Sequence, residues 1–214
     1  MGKSSSPVPK IIIAVCTVIV LVQIVRTCGR PALAESGVKH HQVLGEMTAV
    51  ELLQRVAPGA PAQILLVSWE TPNPMQQQQE EAFRKELRRR NAALLPILRV
   101  PETEINPSSG WSAAASQRVR EAVQGANGIA IFAGAPPASW SLPGSTPETY
   151  PATLLVLSFV DHLNDLLAYR QITAAIQPGT PPRDNPPTTR SSSEAWFRAY
   201  YRVLESPSPD WDSL

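Results

Sequence analysis

An α/β fold, a three-layer sandwich around a mostly parallel sheet of about five strands, follows from three features of the sequence. Short, nearly continuous apolar runs recur, as strands buried on both faces require. Between them lie segments whose apolar residues return every three to four positions. Clusters of proline, glycine and polar residues mark each change of period. With 214 residues and 43% hydrophobic content, the chain supports one core of ordinary size plus appendages.

Taken in order, T-A-V-E at 48–51 reads as a capping box opening a helix, with Ala49, Leu52, Leu53 and Val56 at helical spacing. QILLVSW (63–69) is the first strand. Asn73-Pro74 then forms an N-cap and N1 pair for a helix of about seventeen residues. Its Glu80/Arg84, Glu81/Lys85 and Glu86/Arg90 pairs stand at i,i+4, and Met75, Ala82, Phe83 and Leu87 give it a thin apolar stripe. ALLPILRV (93–100) is the second strand, and Pro96, which lacks a ladder donor, places it at an edge. Trp111 to Gln124 reads as a helix with Ala115, Val119, Ala122 and Val123 inward, ended by Gly125. GIAIFAGA (128–135) and ATLLVLSFV (152–160) are the third and fourth strands. Asp161 is placed to cap a helix carrying Leu163, Leu166 and Leu167, and ITAAI (172–176) is a fifth, shorter strand. The α/β domain is thus expected over 47–177. A proline-rich arm over 178–193 follows, and then an aromatic helix and tail over 194–214, opened by Ser191-x-x-Glu194. In that helix Phe197, Tyr200, Tyr201 and Leu204 fall at i, i+3, i+4 and i+7, a stripe that docks back on the domain or is offered to a protein partner.

The amino-terminal part sets the compartment. IIIAVCTVIVLVQIV (11–25) carries no charge, and as a helix it is roughly 22 Å long, short of a ~30 Å hydrocarbon core unless its flanks extend it. The favoured reading is a transmembrane anchor over 11–26, with a cytoplasmic tail over 1–10 and a spacer over 27–46. The alternative is the core of a signal peptide cleaved after Ala34, for which the basic start and the Ala32-Leu33-Ala34 site speak. Arg26 and Arg30, between core and site, speak against it. Either way the folded part is expected outside the cytoplasm, as a single-pass inner-membrane protein or as a secreted, periplasmic one. Gly2 with Ser6 fits a myristoylation pattern of high chance frequency, and Arg26 and Thr27 before Cys28 do not fit a lipobox. Cys16 and Cys28 are the only cysteines, so the domain has no disulfide framework and no thiolate for a metal or a nucleophile.

The order of parts resembles one lobe of the type I periplasmic solute-binding proteins, the sugar-binding and LacI-like Rossmann group. The resemblance rests on QILLVSW with its following helix, the NGIAIFAGAPP turn, ATLLVLSF, and LLAYRQITAAIQPGTPP, and covers roughly residues 62–182. It implies a Rossmann-like lobe of flavodoxin-like or single-lobe type. Family members close two such lobes on a ligand, and this chain has the length of one.

In an open parallel sheet, ligands bind beyond the carboxyl ends of the strands. Those ends carry Ser68-Trp69-Glu70, then Glu102, Glu104 and Trp111, then Ala135-Pro136-Pro137 with Trp140. Trp69, Glu70, Glu102, Trp111 and Trp140 are therefore the candidate ligand-binding residues, tryptophan faces suiting sugar rings or protein interfaces and carboxylates suiting hydroxyls or amines. The bland alternative is that each tryptophan covers its own loop. Phe197, Tyr200 and Tyr201 are the candidate partner-binding residues.

Other chemistries fare worse. A net charge of +1 gives no field for nucleic acid, and no nucleic-acid partner is expected. The VSWETPNP turn has prolines where a phosphate cradle needs free amides, and no G-x-G-x-x-G follows the first strand. Ser158, Asp161 and His162 lack a G-x-S-x-G frame, and Glu70 with Glu102 as an acid and base pair is a weak alternative. His40 and His41 with Glu46 read as solvated rather than metal-binding, and Arg88-Arg89-Arg90 as a helix terminus complementing its dipole. No cofactor, metal or catalytic residue is expected. The expected function is a membrane-tethered, extracytoplasmic binding module, an accessory or assembly subunit of an envelope complex. The alternative is a receptor for a small ligand, carbohydrate among the candidates.

Overall fold

The computed structural model describes residues 31–57, 61–142, 150–157, 160–180, 187–188 and 191–205. The apolar run at 11–25 and the tail after Glu205 lie outside the described residues, as do Ser158 and half of the proline-rich arm. No helix among the described residues is long and apolar enough to cross a membrane. The chain divides into two compact units, Met1–Lys39 and His40–Leu214, and the second holds the α/β domain.

The elements are α1 (Pro31–Arg55), β1 (Gln63–Trp69), α2 (Pro74–Arg89), β2 (Ala93–Leu94), β3 (Leu98–Val100), β4 (Ile105–Asn106), β5 (Gly110–Trp111), α3 (Ala113–Ala122), β6 (Gly128–Ile131), β7 (Ala152–Val156), α4 (Leu163–Ala168), β8 (Ala174–Pro178), α5 (Ser193–Tyr200) and β9 (Tyr201–Glu205). A seven-stranded sheet runs β2-β1-β6-β7-β8-β9, with β3 also pairing β1. All its pairings are parallel except β8 with β9. Alternate strand residues face two separate cores. Ile64, Leu66, Ala130, Leu154 and Ile176 pack with α1, α2 and α5, whereas Leu65, Val67, Ile129, Ile131 and Leu155 pack with α3 and α4. Continuous apolar runs thus have the cause inferred from sequence: both faces of the sheet are covered.

Local rules account for the α2 entry. Asn73 Oδ1 accepts from the Met75 and Gln76 amides at 3.0 Å, and the Gln76 side chain accepts from the Asn73 amide at 2.8 Å, a complete capping box. Pro96 splits the second expected strand into β2 and β3 at the sheet's edge, with Leu95-Pro96-Ile97 between them.

Four expectations are corrected. The spacer and the helix start at 48 give way to one helix from Pro31: Thr48 lies mid-helix, its hydroxyl donating to the Leu44 carbonyl at 2.6 Å, and Val43 and Leu44 are fully buried. Gly45 permits this burial, because a Cβ there would overlap the Gln79 carbonyl of α2. The helix expected from Trp111 starts two residues later, since Trp111 belongs to β5 and Ser112 caps α3 by accepting from the Ala115 amide at 3.1 Å. Asp161 does not cap α4: the residue before that helix is His162, and its side chain makes no capping bond. The aromatic helix ends at Tyr200. Tyr201–Glu205 instead adds an antiparallel strand to the open edge of β8, where the backbone of YRVLE gains a ladder that a terminal helical turn would leave to water.

Candidate functional site

The parallel strands run in the spatial order second, first, third, fourth, fifth, so the connections leave β1 and β6 in opposite directions. The crevice between the carboxyl ends of β1 and β6 is the topological switch point, where this architecture places ligands. On its β6 side the chain sets its own residues against the strand end. β4 and β5 form an antiparallel ribbon, Ile105 opposite Trp111 and Asn106 opposite Gly110. The Trp111 amide donates to the Ala135 carbonyl at 2.9 Å, and its indole Nε1–H donates to the Ala133 carbonyl at 2.8 Å. Gly134 lies between those two acceptors at φ 67°, and a Cβ there would stand 2.8 Å from Ile105 Cγ2 and 3.0 Å from Trp111 Nε1. Gly110, at φ 84°, presses the ribbon onto the same turn, a Cβ there falling 2.6 Å from the Ala135 oxygen. Both glycines are required by conformation and by the closeness of approach.

The five ligand-binding candidates are therefore divided. Trp111 and Trp140 are only 4% and 2% exposed and meet edge to face, centroids 5.5 Å apart, with the Arg120 guanidinium 5.1 Å from the Trp140 centroid. Neither offers a face to a ligand, which corrects the expectation of an open tryptophan-lined crevice. Trp69 is half-buried, while Glu70 and Glu102 are exposed. These three stay together at adjoining strand ends, since Trp69 is in register with Val100 and the Glu70 amide donates to the Val100 carbonyl at 2.9 Å. Glu104 is engaged by Arg118, at 2.7 and 3.2 Å, and fixes the start of α3.

The partner-binding candidates divide likewise. Phe197, 4% exposed, is a core residue stacked on Tyr201 at 5.6 Å, so the α5 stripe docks on the domain rather than facing a partner. Tyr200 and Tyr201 remain half-buried and, with Trp196, surround His40, at centroid distances of 4.4, 6.1 and 4.8 Å. The Tyr201 hydroxyl lies 3.2 Å from His40 Nδ1, and burial pushes that phenol up to about 12. His40 is thus no solvated spacer residue, and among the described residues no cluster of metal-ligating side chains occurs. Burial foremost, then the neighbouring charge of His41, lowers the His40 imidazole below its ordinary 6.5. A lowered folded value means that the unfolded chain takes the proton first. The contribution of His40 to stability is therefore whole above about 6.5 and is lost as pH falls toward the folded value. Chemical denaturation at pH 7.5 and 5.5 is expected to show a loss in the wild type that His40→Phe largely abolishes; an equal loss in both would remove His40 as its source. Glu86 titrates lower. Hydrogen bonding from Arg89, with Arg90, holds it below its ordinary 4.5 against the opposing effect of burial, so its share of stability is lost only in more acid solution.

Sequence reasoning missed a buried polar cluster. Glu80 of α2, 3% exposed, receives the Ser68 hydroxyl at 2.5 Å, both Arg99 nitrogens at 2.6 and 2.9 Å, and Arg84 at 3.1 Å. Ser68 is in register with Arg99 on β3, and Arg99 also donates to the Trp69 carbonyl at 2.9 Å. A polar residue inside each of two apolar runs was the available signal. Ser68 is fully buried, so its hydroxyl is a strut between sheet and helix and not a nucleophile open to substrate.

No protein-family description matches this chain, and no curated protein matches it. Among solved structures, a periplasmic ribose ABC transporter protein from Conexibacter woesei aligns at 13% identity and a TM-score of 0.47, over 64% of this chain and 45% of its own. The chain spans less than half the length of that neighbour, and a likeness of this size carries no argument for a ligand or a compartment.

Proposed function

We propose that this protein is a non-catalytic interaction module: an α/β domain that presents its outer surface to a protein partner, tethered beside a membrane by Ile11–Val25. The observation that carries the reading is the filled switch point. Where a ligand would enter, Trp111 and the Gly134 turn are hydrogen-bonded to each other and buried. The buried Glu80 and Glu86 are engaged by arginines and stiffen α2 rather than serving a reaction. The uncharged run at 11–25 supports the tether, and with it an accessory or assembly role in the cell envelope.

A small-ligand receptor is the second reading, favoured by Trp69, Glu70 and Glu102 remaining together and accessible at one edge. Thermal unfolding and tryptophan fluorescence across a panel of sugars, amino acids and nucleotides separate the two. The module reading expects neither signal to move. A compound that raises the melting temperature by several degrees, with the effect lost in Trp69→Ala, sinks the module reading and establishes the receptor.

A further inference from the structure

Resting on the interaction-module reading, we propose that the partner docks an acidic, aliphatic peptide segment into the groove between α2 and the β2–β3 edge of the sheet. The groove has two halves that share Arg84 and Arg88. One, of about 560 Å³, has an apolar floor that includes Leu87, Leu94, Leu95 and Ile97. The other, of about 580 Å³, gathers Arg84, Lys85, Arg88 and Arg99 against Glu80 and Glu81. Glu80 is already saturated by Ser68, Arg84 and Arg99, so it adds little repulsion toward an incoming carboxylate. Arg84, at the junction of the two halves, reaches Glu80 through one terminal nitrogen at 3.1 Å.

Charge complementarity selects the occupant. An apolar floor alone would accept any hydrophobic segment, but Lys85, Arg88 and Arg84 along one wall favour aspartate or glutamate beside the anchoring side chains. The edge itself limits how the segment binds. β2 has two residues, β3 has three, and Pro96 between them has no N–H, so a continuous added strand is blocked. Recognition therefore falls to side-chain pockets and the cationic wall. Concavity favours a peptide over a flat anionic bilayer, whose headgroups would reach the arginines and leave the apolar floor unfilled.

The test is display selection of a random dodecamer library on the full-length protein in neutral detergent. A Lys85→Glu/Arg88→Glu variant serves as the counter-target, because both side chains are exposed and their reversal leaves the core intact. The expected result is enrichment of peptides combining at least two acidic residues with aliphatic anchors. Their synthetic forms should bind the variant at least tenfold more weakly, and wild-type binding should weaken with rising salt. Three outcomes overturn the proposal: no enrichment, enriched peptides without acidic residues, or equal binding to the variant. Binding to phosphatidylglycerol vesicles over phosphatidylcholine ones, dependent on Lys85 and Arg88 and without any peptide selected, would assign the patch to a membrane instead. The ligand panel keeps the two readings apart. A stabilising compound that acts through Trp69 sinks the module, whereas a silent panel with no acidic peptides selected sinks only this groove.

Discussion

Replacing Arg99 with methionine is expected to lower the stability of the domain by about 3 kcal/mol or more, while the triple variant Ser68→Ala/Glu80→Leu/Arg99→Met recovers much of that loss. Removing one partner of a buried ion pair leaves a carboxylate out of water with too few donors, a change that costs about 3–5 kcal/mol in comparable sites. The triple variant removes the charge along with its partner and returns apolar volume to the core, and Ser68→Ala spares the hydroxyl that Glu80→Leu would leave buried without an acceptor. Arg84 stays near Glu80 in the single variant, but at 3.1 Å and through one nitrogen it replaces neither the bidentate contact nor the bond to the Trp69 carbonyl. For a domain of this size the single substitution should depress the melting temperature by about 6–12 °C. Thermal and urea unfolding of the two variants beside the wild type measure it. A loss below about 1 kcal/mol, the range of an exposed pair, would mean that the Glu80–Arg99 pair does not hold α2 to the sheet.

That cluster also marks the boundary of what the sequence discloses. Glu80 and Arg84 were legible as an i,i+4 pair because the spacing is local, and the Asn73-Pro74 cap for the same reason. That Glu80 faces inward was not, since it depends on Arg99, nineteen residues away, arriving through a parallel pairing. The strand cores could be read because a sheet covered on both faces leaves an unbroken apolar run. β9 could not: YRVLE fits helical and strand periods equally, and only the open edge of β8 decides between them. The candidate ligand site failed on the same ground. The sequence brings Trp69, Glu70 and Glu102 to adjoining strand ends, but whether Trp111 faces solvent is set by Ala133, Gly134 and Ala135, whose closeness to the ribbon no local pattern records.

Trp111→Ala is expected to cost about 4 kcal/mol and to convert the closed switch point into a binding cavity. Truncating a buried tryptophan typically costs 3–5 kcal/mol, through lost transfer energy and the void left behind. Part of the loss here is the Ala133 carbonyl, which forfeits the indole donor, and Trp111→Phe, which keeps a ring but loses that donor and some volume, should cost less than the alanine variant. The void should resist collapse, because β4 and β5 remain paired and the Trp111 amide still donates to Ala135. Free indole therefore has a site matching its shape and its donor. Millimolar indole should raise the melting temperature of Trp111→Ala by several degrees and leave the wild type unmoved. If indole moves both proteins equally or neither, Trp111 is not what closes the crevice. If it moves only the variant, the architecture retains a ligand position that one side chain occupies. The crevice beside Trp111 is then closed in the wild type, which leaves the exposed edge at Trp69, Glu70 and Glu102 and the outer surface at Lys85 and Arg88 as the places where a binding partner is engaged.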